Sequence, residues 1–359
     1  MPRPRRYIQL GPDEIVEVAL RSPMNESDMI FNFPKTGSQN FARSIRLAIW
    51  TARTDHVELK HIMKSRDVNT YRMISSLADV QDLSQRFNEC VCIYVQSELG
   101  QKAIEEKKQE KYSPLNLELI DLVLLLIYSF AIENPSKLNE INRNQSQTYG
   151  ELDFDAGHAL FQCMNLSNND IFLDLGSGIG NVVLQAALTF HCRKSYGIEL
   201  SAYRANCARE MLNHFQVVMK WLGRKHGDIE LIEGNFLDPK YTEIIQSSNR
   251  IFINNLAFDA QINNDITVRL QQLPVNTVYI SSVPLVQKRT RNRIIINELQ
   301  DTMVKVEMIE SLPVSWTKTK INFYKHTLVP MDITRIPATL NDPEEQRRGL
   351  KRRVSNSEE

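Results

Sequence analysis

Ile171-Phe172-Leu173-Asp174-Leu175-Gly176-Ser177-Gly178-Ile179-Gly180-Asn181 is an apolar run that breaks into a glycine-rich turn and continues into the apolar stretch Val182 to Thr189. The pattern predicts a buried strand, a tight turn and a helix. Glycines let backbone approach a ligand, and the free N–H groups of a helix N-terminus favour polar or anionic ligand atoms. The stretch therefore marks a nucleotide-cofactor pocket at the end of a strand.

Spacing distinguishes the cofactors. Dinucleotide folds favour G-x-G-x-x-G, which gives the pyrophosphate room on the helix N-terminus. Here the glycines read G-x-G-x-G, Asn181 stands where the third would fall, and Asp174 ends the strand two residues before the first. A carboxylate there repels a pyrophosphate but attracts the ammonium and sulfonium of S-adenosylmethionine. A methyl donor is thus favoured over NAD. Tyr196-Gly197-Ile198-Glu199 reads as the next strand, its terminal carboxylate placed for the two ribose hydroxyls of an adenosine.

Around this core, strand and helix patterns alternate. Strands are expected at 171–174, 195–199, 229–233, 250–254 and 277–281, with helices at 182–189, 202–222 and 262–272. Two closing strands follow at 303–310 and 322–328. This order implies an α/β fold with a mostly parallel sheet, helices on both faces, and the ligand at the carboxyl ends of the strands. Upstream, residues 39 to 132 show helical periodicity, exemplified by Met73, Leu77, Val80, Leu83 and Phe87, and Asn134 to Thr148 reads as a polar linker.

Composition sets outer limits. The 359 residues are 42% hydrophobic and 24% charged, with 43 basic and 43 acidic side chains, so overall charge points to no nucleic-acid partner. The ends are basic, however: Arg3, Arg5 and Arg6 at the start, and Arg347, Arg348, Lys351, Arg352 and Arg353 at the finish. Such segments are solvated tails, nuclear-import signals or contacts to DNA phosphates. The five cysteines form no C-x-x-C pair and no zinc-like cluster, so no metal is expected, and their odd number points to a reducing compartment. The longest apolar run, Leu119 to Ile132, is interrupted by Asp121 and falls short of the roughly 20 residues of a membrane span. It reads as a core helix.

Two further segments carry chemistry. Arg250-Ile251-Phe252-Ile253-Asn254-Asn255-Leu256-Ala257-Phe258 is an apolar strand ending in two amides and an aromatic, which places Asn254 and Phe258 beside the transferred methyl. An amide there can orient an amine nucleophile, and an aromatic favours a sulfonium. Tyr149-Gly150-Glu151 closes the polar loop and could bring Glu151 to the methionine ammonium, while Trp316 and Phe323 add aromatics near the end of the fold.

Taken together, these segments resemble the disruptor of telomeric silencing family, non-SET methyltransferases of lysine 79 in the core of histone H3. Tyr149 to Glu151, Asp174 to Ala186, Tyr196 to Glu199, Trp221 to His226, Asn254 to Phe258 and Val314 to Thr317 occur in the family's order and spacing, covering about 115 to 330. The resemblance implies a Rossmann-like class I methyltransferase at 151–330, preceded by an α-helical domain at 1–133 and a cofactor-closing loop at 134–150, with a basic tail at 331–359. It implies that Tyr149, Gly150 and Glu151 close on S-adenosylmethionine, that Asp174, Gly176, Gly178, Asn181 and Glu199 hold it, and that Asn235 and Phe236 flank its adenine. Asn254 would lie at the methyl, with Phe258, Trp316 and Phe323 shaping a lysine channel. Nuclear localisation and a nucleosome substrate follow from the same resemblance, with DNA phosphates engaged by the tail from Arg347 to Arg353.

The chain departs from the family's usual residues at Asn235 (an acid), Leu256 (Phe), Phe323 (Tyr), Val283 (Lys) and across Asn142 to Thr148. Those differences keep a second reading open, a degenerate member that binds nucleosomes or the donor as a chromatin adaptor. An amino-methyltransferase of nucleic acid is less consistent, since Asn255-Leu256 lacks the proline pair usual there.

Overall fold

The computed structural model describes residues 15–34, 39–110, 115–132, 134–140, 152–285, 294–297, 302–314 and 317–330. A hairpin of β1 (Ile15–Leu20) and β2 (Met29–Pro34) precedes helices α1 (Gln39–Asp55), α2 (Val57–Ser65), α3 (Leu77–Gln96), α4 (Glu98–Gln109), α5 (Leu117–Ala131) and α6 (Lys137–Glu140). After α7 (Phe154–Met164) come β3 (Ile171–Leu175), α8 (Asn181–Phe190), β4 (Lys194–Glu199), α9 (Ala202–Trp221) and β5 (Asp228–Glu233). The chain continues through α10 (Thr242–Ser247), β6 (Arg250–Ile253), α11 (Ala260–Leu270), β7 (Val278–Ser281), β8 (Ile294–Asn297), β9 (Thr302–Val314) and β10 (Thr317–Pro330).

Strands β3 to β10 form one sheet in the order β5-β4-β3-β6-β7-β10-β9-β8. The first five run parallel, β10 inserts antiparallel between β7 and β9, and β8 pairs antiparallel with β9. This is the Rossmann-like sheet expected of a class I methyltransferase. Its strand order reverses between β3 and β6, and that switch point opens a crevice at their carboxyl ends. Every residue of β3 is buried, as a central parallel strand requires, and the ends of β3 and β6 therefore set the position of any ligand.

Local signals fix the helix ends. Ser76 and Asp79 form a reciprocal capping box at α3, Asn116 accepts from the Leu119 N–H at α5, and Asp259 accepts from the Ile262 N–H at α11. The apolar run at 119–132 is α5, packed against α1 and α9.

Three expectations are corrected. Residues 1–133 are not all helical, because β1 and β2 pair antiparallel and alternate, burying Val18, Leu20, Met29 and Phe31. Within the span expected as linker, Lys137–Glu140 is helical. Nor does the core divide at the expected boundary between helical domain and methyltransferase domain. Ile45, Phe87 and Leu126 belong to the same buried cluster as Leu184, Met211, Phe215 and Trp221 of α8 and α9. Trp221 Nε1 donates to the Leu20 carbonyl at 3.0 Å, and Ser22 Oγ donates to the Trp221 carbonyl at 2.7 Å, pinning the hairpin to α9.

Candidate active site

The turn between β3 and α8 is held by its neighbour strand: Gly176 N–H and Ser177 N–H both donate to the Ile198 carbonyl, at 2.9 and 3.2 Å. Gly176 and Gly180 sit at φ +90° and +85°, which side-chain-bearing residues rarely adopt, and a Cβ on Gly180 would lie 2.9 Å from Leu231 Cδ1. The glycines are thus dictated by backbone and packing, and they leave the N-terminus of α8 facing a cleft. That cleft encloses about 1210 Å³ including its open mouth.

Two carboxylates stand in it. Asp174, at the end of β3, is 3% exposed; burial, with a smaller contribution from Glu199, pushes its pKa up to about 8. Among the described residues no hydrogen bond or ion pair reaches its side chain, so it suits a ligand that brings a cation or a donor. Glu199, at the end of β4, is held through both oxygens. Its Oε2 accepts from Gly178 N–H at 2.9 Å, and its Oε1 accepts from Ser201 N–H at 2.8 Å and faces Arg204 Nη1 at 3.4 Å.

Phe236 and Phe258 stack obliquely, ring centroids 5.9 Å apart, and form an apolar wall whose Phe258 ring lies against Gly176, with Cζ 3.5 Å from where a Cβ there would stand. Asn235 beside them is turned into its own loop, its Oδ1 accepting from Leu237 N–H at 3.0 Å. Asn254 lines the cleft at the end of β6. Asn255, fully buried, faces the other way: its Nδ2 donates to Asn263 Oδ1 (2.7 Å) and the Val283 carbonyl (3.1 Å), and its Oδ1 accepts from Val283 N–H (2.8 Å) and Ser282 Oγ (3.2 Å). Asn263 Nδ2 in turn donates to the carbonyls of Phe258 and Asp259. The 254–258 turn is thereby fixed to α11 and to the exit of β7.

The structure brings together Asp174, Gly176, Gly178, Asn181, Glu199, Asn235, Phe236, Asn254 and Phe258 around one cleft. Phe323 is placed differently. It is fully buried and packs on Phe252 at 6.2 Å, so Phe252 presents its ring to the cleft and Phe323 stands a layer behind. Tyr149, Gly150, Glu151, Trp316 and the basic residues Arg347 to Arg353 lie outside the described residues. Sequence reasoning passed over Arg204 and Asn255. Arg204 sits one turn into α9, where its only signal was proximity to Glu199; Asn255 was quoted as half of an amide pair without a role. Among the described residues no cluster of metal-binding side chains occurs, and no helix is long and apolar enough to cross a membrane.

A sequence profile of the family described as "Histone methylation protein DOT1" matches residues 128–328. Similar proteins include a histone-lysine N-methyltransferase, H3 lysine-79 specific, of Caenorhabditis elegans, 31% identical over 74% of this chain and 28% of that protein. The protein of the same name from Drosophila melanogaster is 29% identical over 88% of this chain and 17% of its own length. This chain thus spans less than a third of either relative. Among solved structures, it aligns with an RNA methyltransferase from Salinibacter ruber in complex with S-adenosyl-L-homocysteine (TM-score 0.34, 16% identity, 52% of this chain and 97% of that one). A putative O-methyltransferase from Klebsiella pneumoniae aligns at TM-score 0.36, with 15% identity over 58% of this chain and 96% of that one.

Proposed function

We propose, from the premise that this chain belongs to the DOT1 histone methylation family, that it is an S-adenosylmethionine-dependent histone-lysine N-methyltransferase. Its substrate is lysine 79 of histone H3 in the nucleosome, the specificity for which its relatives are named, and its place of work is the nucleus. The observation that carries the reading is the pair of acids Asp174 and Glu199 at the ends of adjacent strands, facing an aromatic wall, with Asn254 on the next strand end.

The residues present fit the donor. Asp174, buried and without a partner among the described residues, suits the methionine ammonium, and the cation in turn favours the ionised carboxylate. Glu199, fixed by Gly178, Ser201 and Arg204, presents a rigid acceptor to ribose hydroxyls. Phe236 and Phe258 offer apolar contact to an adenine. The bound donor supplies the activated methyl group; the chain supplies position. Asn254 orients the incoming amine, Phe258 favours positive charge over its ring, and the aromatic surroundings strip water from the lysine, which disfavours its ammonium form. Among the described residues the cleft carries no histidine, so loss of the lysine proton is assigned to desolvation rather than to a dedicated base.

The test is methyl transfer from labelled S-adenosylmethionine to reconstituted nucleosomes, free histone H3 and naked DNA, with Asn254→Ala alongside. Transfer to nucleosomal H3 that the substitution abolishes supports the reading. Donor binding without transfer to any substrate moves it to a non-catalytic chromatin adaptor, and transfer to DNA moves it to a nucleic-acid methyltransferase.

A further inference from the structure

The helical region carries a feature that the methyl-transfer site does not use. From Gln39 to Arg72 the chain holds seven cations (Arg43, Arg46, Arg53, Lys60, Lys64, Arg66, Arg72) against three acids (Asp55, Glu58, Asp67), in a protein whose formal net charge is zero. One of the three acids, Asp55, is buried and turned inward to Arg224 and Lys107. Arg72 in turn pairs with Asp79 and Asp82, at 3.9 and 3.4 Å, so outside these pairs six cations stand against two acids.

Several of these cations meet at one groove. The end of α1, the outer face of α2 and the loop 67–71 enclose a hollow of about 610 Å³ that includes its open mouth, bordered by Arg53, Lys60 and Lys64. None of the three forms an ion pair among the described residues, and the single acid in the lining is Asp67. The groove is preformed. Val68 N–H donates to the Met63 carbonyl at 2.9 Å, Arg86 Nη2 donates to the carbonyls of Arg66 and Asp67 at 3.2 and 2.9 Å, and Arg53 Nη1 reaches Thr70 Oγ1 at 3.3 Å. At its lip stands Tyr71, 70% exposed, its ring held edge-on against Trp50 at 5.4 Å. An exposed aromatic beside a row of cations is the footprint of a nucleic-acid backbone contact, with lysine and arginine on phosphates and a tyrosine hydroxyl on phosphate or sugar.

We infer that the groove formed by Arg53, Lys60, Lys64 and Tyr71 binds the phosphate backbone of duplex DNA, without reading sequence. The choice of duplex DNA over another polyanion rests on the nucleosome substrate proposed above. The placement suits it. Ten residues back along α1, about 15 Å at 1.5 Å per residue, Arg43 borders a second hollow that shares Leu152 and Asn181 with the methyl-transfer cleft.

The experiment uses the full chain and three probes: a mixed-sequence duplex DNA, a poly-glutamate peptide and reconstituted nucleosomes. The variants are Lys60→Gln/Lys64→Gln and Tyr71→Ala, with methyl transfer to free histone H3 as a separate readout. The expected result is that the double variant binds duplex more weakly, and that its log K against log salt slope falls by about 2, at roughly 0.9 for each phosphate left without its lysine. Tyr71→Ala should weaken duplex binding without changing that slope. Donor affinity and transfer to free H3 should stay at the level of the unsubstituted chain. Equal duplex affinity and slope in the double variant overturns the inference, as does loss of poly-glutamate binding with duplex binding intact. Absence of transfer to nucleosomal H3 by the unsubstituted chain counts against the proposed enzyme activity and leaves the duplex readout standing on its own.

Discussion

Glu199 Oε2 accepts a hydrogen bond from the backbone N–H of Gly178 across 2.9 Å, tying the end of β4 to the glycine turn that follows β3. The two segments read from the sequence as separate cofactor signals are one mechanical unit. Glu199→Gln keeps the shape but puts an NH2 group where one carboxylate oxygen had been, so it cannot accept from Gly178, Ser201 and Arg204 together. The expected cost is about 1–3 kcal/mol for the unsatisfied buried donors. Calorimetric titration with S-adenosylmethionine should show affinity lowered by at least ~10-fold, which is ~1.4 kcal/mol. An unchanged affinity would show that the ribose is held elsewhere.

Asp174 gives a prediction in pH. Its folded pKa, about 8, stands above the 3.8 of an unperturbed Asp, so between those values the folded protein holds a proton that the unfolded chain has lost. Stability of the donor-free protein must then fall as pH rises from about 4 to 8. Asp174→Asn removes this dependence: its thermal midpoint should exceed that of the unsubstituted chain at pH 8 and converge with it near pH 4. On the proposed reading, the same substitution also removes the anion that meets the methionine ammonium, so donor affinity should drop by ~10-fold or more, in keeping with ~1.5–3 kcal/mol for a charge-assisted bond. Thermal scans across pH, with and without donor, read both effects.

What the sequence disclosed, and what it hid, follows from the range of the interactions. The strand at Ile171 to Asp174, the glycine turn and the acids that end two parallel strands are local patterns, and the structure places them where the periodicity said. The hairpin β1–β2 escapes a sequence reading because its period-2 burial covers only Val18, Leu20, Met29 and Phe31, and its stability comes from Trp221, about 200 residues away. Helix α7 lies in the stretch 152–170, between the polar loop and the first strand, to which the sequence reading assigns no element. Phe323 is set by strand alternation: β10 turns it toward Phe252 and away from solvent, a detail fixed by pairing register rather than by residue type. The role of Asn255 depends on Val283 and Asn263, which meet it only after β7 and α11 are in place.

Asn255 positions Asn254 and Phe258 without itself lining the cleft. Asn255→Asp preserves size and the acceptor toward Val283 N–H but turns the donor toward Asn263 Oδ1 and the Val283 carbonyl into a second acceptor. Like poles then face each other in a buried site, at ~1–3 kcal/mol or more. The expected kinetic signature is a lower kcat for nucleosome methylation with donor affinity nearly intact, because Asp174 and Glu199 sit on other strands. A drop in donor binding equal to the drop in kcat would refute the assignment as a positioning residue.

Asp55 and Arg224, 169 residues apart in sequence, join the helical region to the segment after α9. Arg224 Nη2 lies 2.5 Å and Lys107 Nζ 2.8 Å from Asp55 Oδ1 in a buried setting, with His56 Nε2 at 3.5 Å from Oδ2. Burial alone would push the Asp55 carboxyl up; His56 in its protonated form, the Arg224 hydrogen bond and the Lys107 charge hold it below the usual range. Removing one partner of such a buried cluster costs ~3–5 kcal/mol, so Asp55→Ala should lower the thermal midpoint by several degrees, and Arg224→Met by a comparable amount. The pH dependence comes first from His56, whose pKa burial lowers from 6.5 to about 4. Between those values the unfolded chain binds the proton that the folded one does not, so stability falls as pH drops from about 6.5 toward 4. Thermal scans of the unsubstituted chain and His56→Gln over this window decide the point: the variant should lose the slope that His56 supplies, and an identical slope in both would assign the acid sensitivity to other groups.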